Sequence, residues 1–326
     1  MPVNLHFGAD DLLRIRFAVS PLCETHEAVR TLRHADRHGY HTPWLRRMRE
    51  KLAGLDLAPL WLFMPSSGYT PDFLGRPPAS PMTGFDEELA RLRATDPALA
   101  RAEMAASLAC TPGAAKSERG RAVLADPAGA VQELAGVTER AWRTLVAADW
   151  PRLRALLEAE IAYRSHQLAG GGLQRLFADL HPRVSWSGDT LTVRTRTEIA
   201  RMQDLDGRGV LLLPSVFVWP DVVSGFQPPW QPTVIYPARG IGGLWTEPET
   251  RPALARLLGA NRAAVLAALD APATTTALAH RLGLAPSSVS GHLAVLRDAG
   301  LLTSHRHGHQ VRYERTPLGI TLAAGG

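Results

Sequence analysis

The chain has 326 residues, 45% of them hydrophobic and 21% charged, which suits two folded domains and argues against global disorder. No stretch reaches the roughly 18 consecutive apolar residues of a membrane span, and Met1 to Asp10 lacks the basic start and apolar run of a signal peptide. The two cysteines, Cys23 and Cys110, form neither a disulfide framework nor a metal spacing, so the expected setting is a reducing cytoplasm, without a cofactor and away from membranes.

The net charge of +5 is unevenly spread. From Arg251 onward there are eight arginines against three acidic residues, and the remaining 28 charges of each sign cancel over the preceding 250 residues. A basic C-terminal quarter behind a neutral body points to a polyanionic partner, most simply double-stranded DNA.

In chain order, Glu24 to His38 carries Ala28, Val29, Leu32 and Ala35 at helical spacing, and Leu45, Met48 and Leu52 repeat the pattern. Pro65 to Pro81 is too rich in proline for regular structure and reads as a long loop. Phe85 to Leu180 is mostly helical, punctuated by Asp96-Pro97, Thr111-Pro112-Gly113 and Asp126-Pro127, each a cap-plus-proline start signal. Gly170-Gly171-Gly172 interrupts the run as a flexible corner. After Pro182 the period changes to two: Val184 and Trp186, the turn Gly188-Asp189, then Leu191 and Val193 spell a hairpin. Val210 to Leu213, Val216 to Trp219 and Thr233 to Tyr236 are further short apolar runs. The polar joint Thr246-Glu247-Pro248-Glu249 sets the expected domain boundary, giving residues 1–247 and 248–326. The fold class expected is α+β multidomain: a mostly helical N-terminal domain with a small antiparallel sheet, then a C-terminal winged helix-turn-helix.

The C-terminal part is the more explicit. Thr274-Thr275-Thr276 offers a cap for a short helix with Leu278, Ala279 and Leu282 inward, Gly283-Leu284-Ala285 is a turn, and Pro286 suits the first position of the next helix. There Val289, Leu293 and Leu296 must face inward, leaving Ser287, Ser288, Ser290, Gly291 and Ala294 as a small, polar outer face; Gly300 ends the helix. Leu301 to Arg306 and Gln310 to Arg315 then flank His307-Gly308-His309, a basic hairpin. A helix with a small polar outer face fits a major groove about 12 Å wide, and Arg306, Arg312 and Arg315 could reach neighbouring phosphates.

Thr274 to Gly319, with Ser288-Val289-Ser290-Gly291-His292-Leu293 and Leu296-Arg297-Asp298-Ala299-Gly300-Leu301-Leu302, resembles the ArsR-type winged-helix regulators. Pro214-Ser215, Tyr236 to Gly240 and Leu244-Trp245 resemble a domain of uncharacterised function found ahead of this winged helix in actinobacterial regulators. The resemblance implies a sequence-specific transcriptional regulator, with repression the commoner mode, acting as a homodimer. Ser287, Ser288, Ser290, Gly291 and His292 would lie at the groove, and Arg297, Arg306, His307, Gly308, His309 and Arg312 would position the duplex. Ala285 and Gly291 depart from the pattern, the first lacking a cap hydroxyl and the second weakening the helix. With no cysteine beyond Cys110, the cysteine pair of the metal-sensing members is missing, and no metal is expected.

Other features carry two readings. His305, His307 and His309 alternate along the hairpin and read as polar residues near phosphate rather than as metal ligands; His34, His38 and His41 read as a solvated or partly buried face. The aromatic residues after residue 185 form a core or line a pocket for an apolar effector, the pocket reading taking Trp186, Phe217, Trp219, Tyr236 and Trp245. Leu213-Pro214-Ser215-Val216 lacks nucleophile-elbow glycines and Cys23 has no motif around it, so enzyme activity is not expected. The alternatives are a winged-helix interaction module that has lost DNA binding and an enzyme domain fused to a DNA-binding tail.

Overall fold

The computed structural model describes residues 2–324 apart from 66, 196–200, 227, 229, 246–251, 271, 308 and 309, so the expected joint at Thr246 to Glu249 lies outside the described residues. The chain divides into two units, Met1–Ala238 and Arg239–Gly326.

The first unit opens with β1 (Pro2–His6), α1 (Ala9–Leu12), β2 (Arg16–Phe17) and α2 (Pro21–Arg33), followed by α3 (Thr42–Lys51) and α4 (Ala58–Leu62). Ser20 accepts from the Cys23 amide and Pro21 starts α2, whose residues 24 to 29 are all buried. Helices α5 (Phe85–Arg93), α6 (Pro97–Ala109), α7 (Glu118–Ala125), α8 (Pro127–Ala141) and α9 (Trp150–Ala178) follow. Asp96 and Asp126 cap α6 and α8 as the sequence predicts. Thr111-Pro112 starts no α-helix: a 3-10 turn follows, and Ser117 caps α7. The triple glycine bends α9, where Gly172 takes φ 62, a left-handed conformation that a side chain would oppose.

Strands β3 (Val184–Ser187), β4 (Thr190–Arg194), β5 (Arg201–Asp204), β6 (Leu211–Ser215), β7 (Val223–Gly225) and β8 (Thr233–Pro237) complete the unit. The predicted hairpin is β3–β4, with Val184 opposite Val193. In place of one small antiparallel sheet there are two mixed four-stranded sheets, ordered β3-β4-β1-β5 and β2-β6-β8-β7. The parallel pairs β1/β5, β2/β6 and β6/β8 join segments distant in sequence, whereas the pattern read along the chain reveals neighbours. Strand β1 alternates half-buried and buried positions, as a sheet with one face on the core must. Strand β6 is buried throughout: Leu212 packs with Leu176 and Phe177 of α9, while Leu211 and Leu213 pack with Ala18, Val218 and Ile235. Val216 to Trp219 forms a turn instead of a strand, its Val216 amide donating to both oxygens of Glu24.

The second unit holds α10 (Ile241–Leu244), α11 (Pro252–Leu258), α12 (Ala260–Ala268), β9 (Ala273–Thr274), α13 (Thr275–Leu282), α14 (Pro286–Asp298), β10 (Leu302–His307), β11 (Gln310–Arg315) and α15 (Pro317–Ala324). Its core gathers Leu266, Leu278, Val289, Leu293, Leu296 and Leu302. The antiparallel sheet β10-β11-β9 makes the wing. No helix among the described residues is long and apolar enough to cross a membrane.

Candidate nucleic-acid interface

Thr274 Oγ1 accepts from the Ala277 amide at 3.2 Å to start α13, and Pro286 starts α14. The N-cap of α14, Ala285, supplies no side-chain bond. Gly300 takes φ 72, and the amides of Gly300 and Leu301 close the helix end on the carbonyls of Arg297 and Leu296.

The spacing of Val289, Leu293 and Leu296 buries one side of α14 and turns the other outward. Ser287, Ser288, Ser290 and Gly291 are exposed on that outer side, His292 is half-buried, and Arg297 is exposed beside Asp298, 3.3 Å away. Val295, 47% exposed, extends this surface, although the sequence reading did not single it out. Its signal was present: Val295 falls outside the inward set at 289, 293 and 296. An apolar side chain there has the chemistry to meet a thymine methyl.

The wing register pairs His305 with Arg312 and Arg306 with Val311. Successive strand residues alternate faces, so Arg306 and Arg312 project from opposite faces of the hairpin. His305 Nε2 lies 3.1 Å from Glu314 Oε1 across the strands. His307 ends β10, with its side chain outside the described set, as are Gly308 and His309 altogether. Arg315 bonds within the unit: its Nε donates to the Leu266 carbonyl at 2.7 Å and its Nη2 to that of Ala267 at 2.6 Å. The last carbonyls of α12, which have no partner further along the helix, and a guanidinium within reach explain that placement.

In the first unit, the aromatic residues proposed for an effector pocket disperse. Trp186 packs edge-on against Phe7 and stacks on Phe177; Tyr236 is buried in the same core. Trp219 meets Tyr40, and Phe217 packs against His41 and Trp44. Trp245 belongs to the second unit. A cavity of about 270 Å³ does open in the first unit, and of these five residues Phe217 lines it. His41 is buried with Nε2 3.1 Å from the Val216 carbonyl oxygen, and burial pushes its pKa down to about 3.

Residues 82–242 match a family of unknown function (DUF5937), and residues 257–305 match a helix-turn-helix domain family. No curated protein and no solved structure matches the chain. The chain carries an ArsR-type winged helix-turn-helix behind a domain of unknown function, the make-up of a DNA-binding transcription regulator.

Proposed function

We propose that this protein is a sequence-specific cytoplasmic repressor that binds a two-fold-related operator as a homodimer, with the first unit mediating dimerisation, effector sensing or both. The observation that carries this reading is the outward face of α14, small and polar at Ser287, Ser288, Ser290 and Gly291, in the part of the chain that holds the whole net positive charge. In this arrangement α14 enters the major groove by that face. A hairpin with Arg306 on one face and Arg312 on the other suits the adjacent minor groove, about 6 Å wide and flanked by phosphates on both sides. Arg297 holds the backbone beside the groove. The reading assigns no chemical step to either unit.

The test is fluorescence anisotropy of the full chain on its own upstream DNA across a salt series. Affinity should fall steeply with salt, and Arg306→Ala and Arg312→Ala should each lower the log–log slope by about 0.9. Salt-independent binding, or a slope unmoved by both substitutions, removes the groove assignment. Light scattering then reports the homodimer, and transcription in vitro from the bound promoter, expected to drop on addition of protein, reports repression.

A further inference from the structure

The cavity in the first unit has two unlike walls. Helix α2 supplies one of them, through His26, Glu27, Arg30 and Arg33, whose spacing places all four along one side of the helix. Facing it are Leu213 of β6, Ile235 of β8, and Phe217, Val218 and Val222 from the chain between them, all apolar. The segment after α4 closes over the space, contributing Tyr69, Thr70 and Leu74.

That cover is tied down by the helix itself. Arg30 Nη2 donates to Thr70 Oγ1 at 2.9 Å, and Arg33 Nη1 donates to the carbonyls of Trp61 at 3.0 Å and Met64 at 2.9 Å. Further along, the Tyr69 amide meets Cys110 Sγ at 3.3 Å and the Phe73 amide donates to Glu103 Oε2 at 2.8 Å. The cavity is therefore a built feature with a preformed cover, the condition under which a small ligand loses least on binding.

Its lining charges are Glu27, Asp72 and Asp221 against Arg30, Arg33 and Arg201, and their pairing indicates what that ligand carries. Glu27 is held by Arg30, 3.2 Å away, and Asp221 by Arg183, 2.9 Å away, with Arg37 at 4.0 Å. Arg33, exposed at the end of the helical wall, bonds to two carbonyls and has no carboxylate at ion-pair distance among the described residues. A cationic ligand would set its charge beside Arg30 and Arg33. An anionic one gains a charge-assisted bond from Arg33 while its apolar body covers the sheet wall.

We propose that this cavity binds a small aromatic carboxylic acid, with the ring system against Phe217, Leu213 and Ile235 and the carboxylate at Arg33. A volume of about 270 Å³ suits a bicyclic body. The assignment rests on reading the first unit as the part that receives a signal, and it names where the signal molecule sits and its chemistry.

The test is isothermal titration of the full-length chain, without DNA, using 2-naphthoate, its neutral amide and the corresponding amine as probes. The acid should bind about tenfold or more tightly than the amide, and the amine least. Arg33→Gln, which keeps a donor for the carbonyls but removes the charge, should weaken the acid about tenfold and leave the amide unchanged. Val223→Trp, at an edge-strand position that is 37% exposed and lines the cavity, should fill the space and abolish binding of both in a chain that melts as the parent does. No binding of any probe, equal affinity for acid and amide, preference for the amine, or binding unaffected by Val223→Trp would each overturn the proposal. Because DNA is absent from every titration, these outcomes are independent of whether the winged helix binds an operator.

Discussion

Arg164 Nε donates to Glu160 Oε1 at 2.6 Å in an ion pair whose two side chains are each 1% exposed. One turn apart on α9, they sit beneath the sheets, where Arg164 Nη2 also donates to the Asp179 carbonyl at 3.0 Å and the guanidinium lies 5.8 Å from the Tyr236 ring centroid. Removing one partner strands a charge in a dry interior. Arg164→Met should cost about 3–5 kcal/mol in urea unfolding, and adding Glu160→Leu should recover a large part of it. Additive losses in the double mutant would show that the two do not act as a pair.

Buried ionisable groups in the first unit set opposing pH limits. Burial pushes His26 and His41 down to about 3, and pushes Glu24 up to about 8 and Glu88 up to about 7. From pH 6.5 down to 3 the unfolded chain holds more histidine protons than the folded one, so stability falls as pH falls. From pH 4.5 up to 7 or 8 the folded chain holds more glutamate protons, so stability falls as pH rises. Below 4.5 the histidine effect acts alone and above 6.5 the glutamate effect does. Denaturation followed by tryptophan fluorescence should therefore peak between pH 4.5 and 6.5. Glu24→Gln should flatten the alkaline limb, and stability that climbs steadily to pH 8 would refute the argument.

Arg315 and Arg312 differ in what they touch, and their substitutions should separate. Arg315→Met loses two bonds to the end of α12 and should destabilise the second unit by about 1–3 kcal/mol, leaving the salt slope of DNA binding unchanged below its melting temperature. Arg312→Ala should show the reverse. A lowered slope in Arg315→Met would return that residue to the phosphate contacts.

Helix α14 can be strengthened at two positions. A Cβ on Gly291 meets nothing within 4 Å, and alanine there should add about 1 kcal/mol through helix propensity. Ala285 holds extended N-cap geometry without a side-chain bond, so Ala285→Ser should add about 1 kcal/mol by accepting an amide hydrogen bond. The gains should sum in thermal melts of the double variant, because the positions share no partner. DNA affinity of Gly291→Ala then reports whether that face meets the groove: a methyl group there changes affinity only if DNA comes close.

Local pattern accounts for the winged helix. The apolar spacing of Val289, Leu293 and Leu296, the Thr274 cap, Pro286 and Gly300 each act within a few residues, so periodicity and capping rules place α13, α14 and the wing directly. The β3–β4 hairpin was legible for the same reason. Strands β1 and β2 were not, because their partners lie some 190 residues away and no local signal records the pairing. The aromatic residues gathered in sequence between 186 and 245 misled for a related reason. Nearness along the chain did not make a pocket, and the cavity drew its polar wall from α2 instead.

By itself, the sequence determined the winged helix, its outward polar face and the confinement of net charge to that part, since helical period, caps and charge are properties of neighbouring residues. The tertiary structure alone decided that Arg315 bonds to the end of α12 and that Arg306 and Arg312 take opposite faces of the wing. It also decided that Arg33 stands at the cavity with no carboxylate at ion-pair distance among the described residues. Those facts depend on strand register and on segments brought together across long stretches of chain, where packing rather than local propensity selects the arrangement.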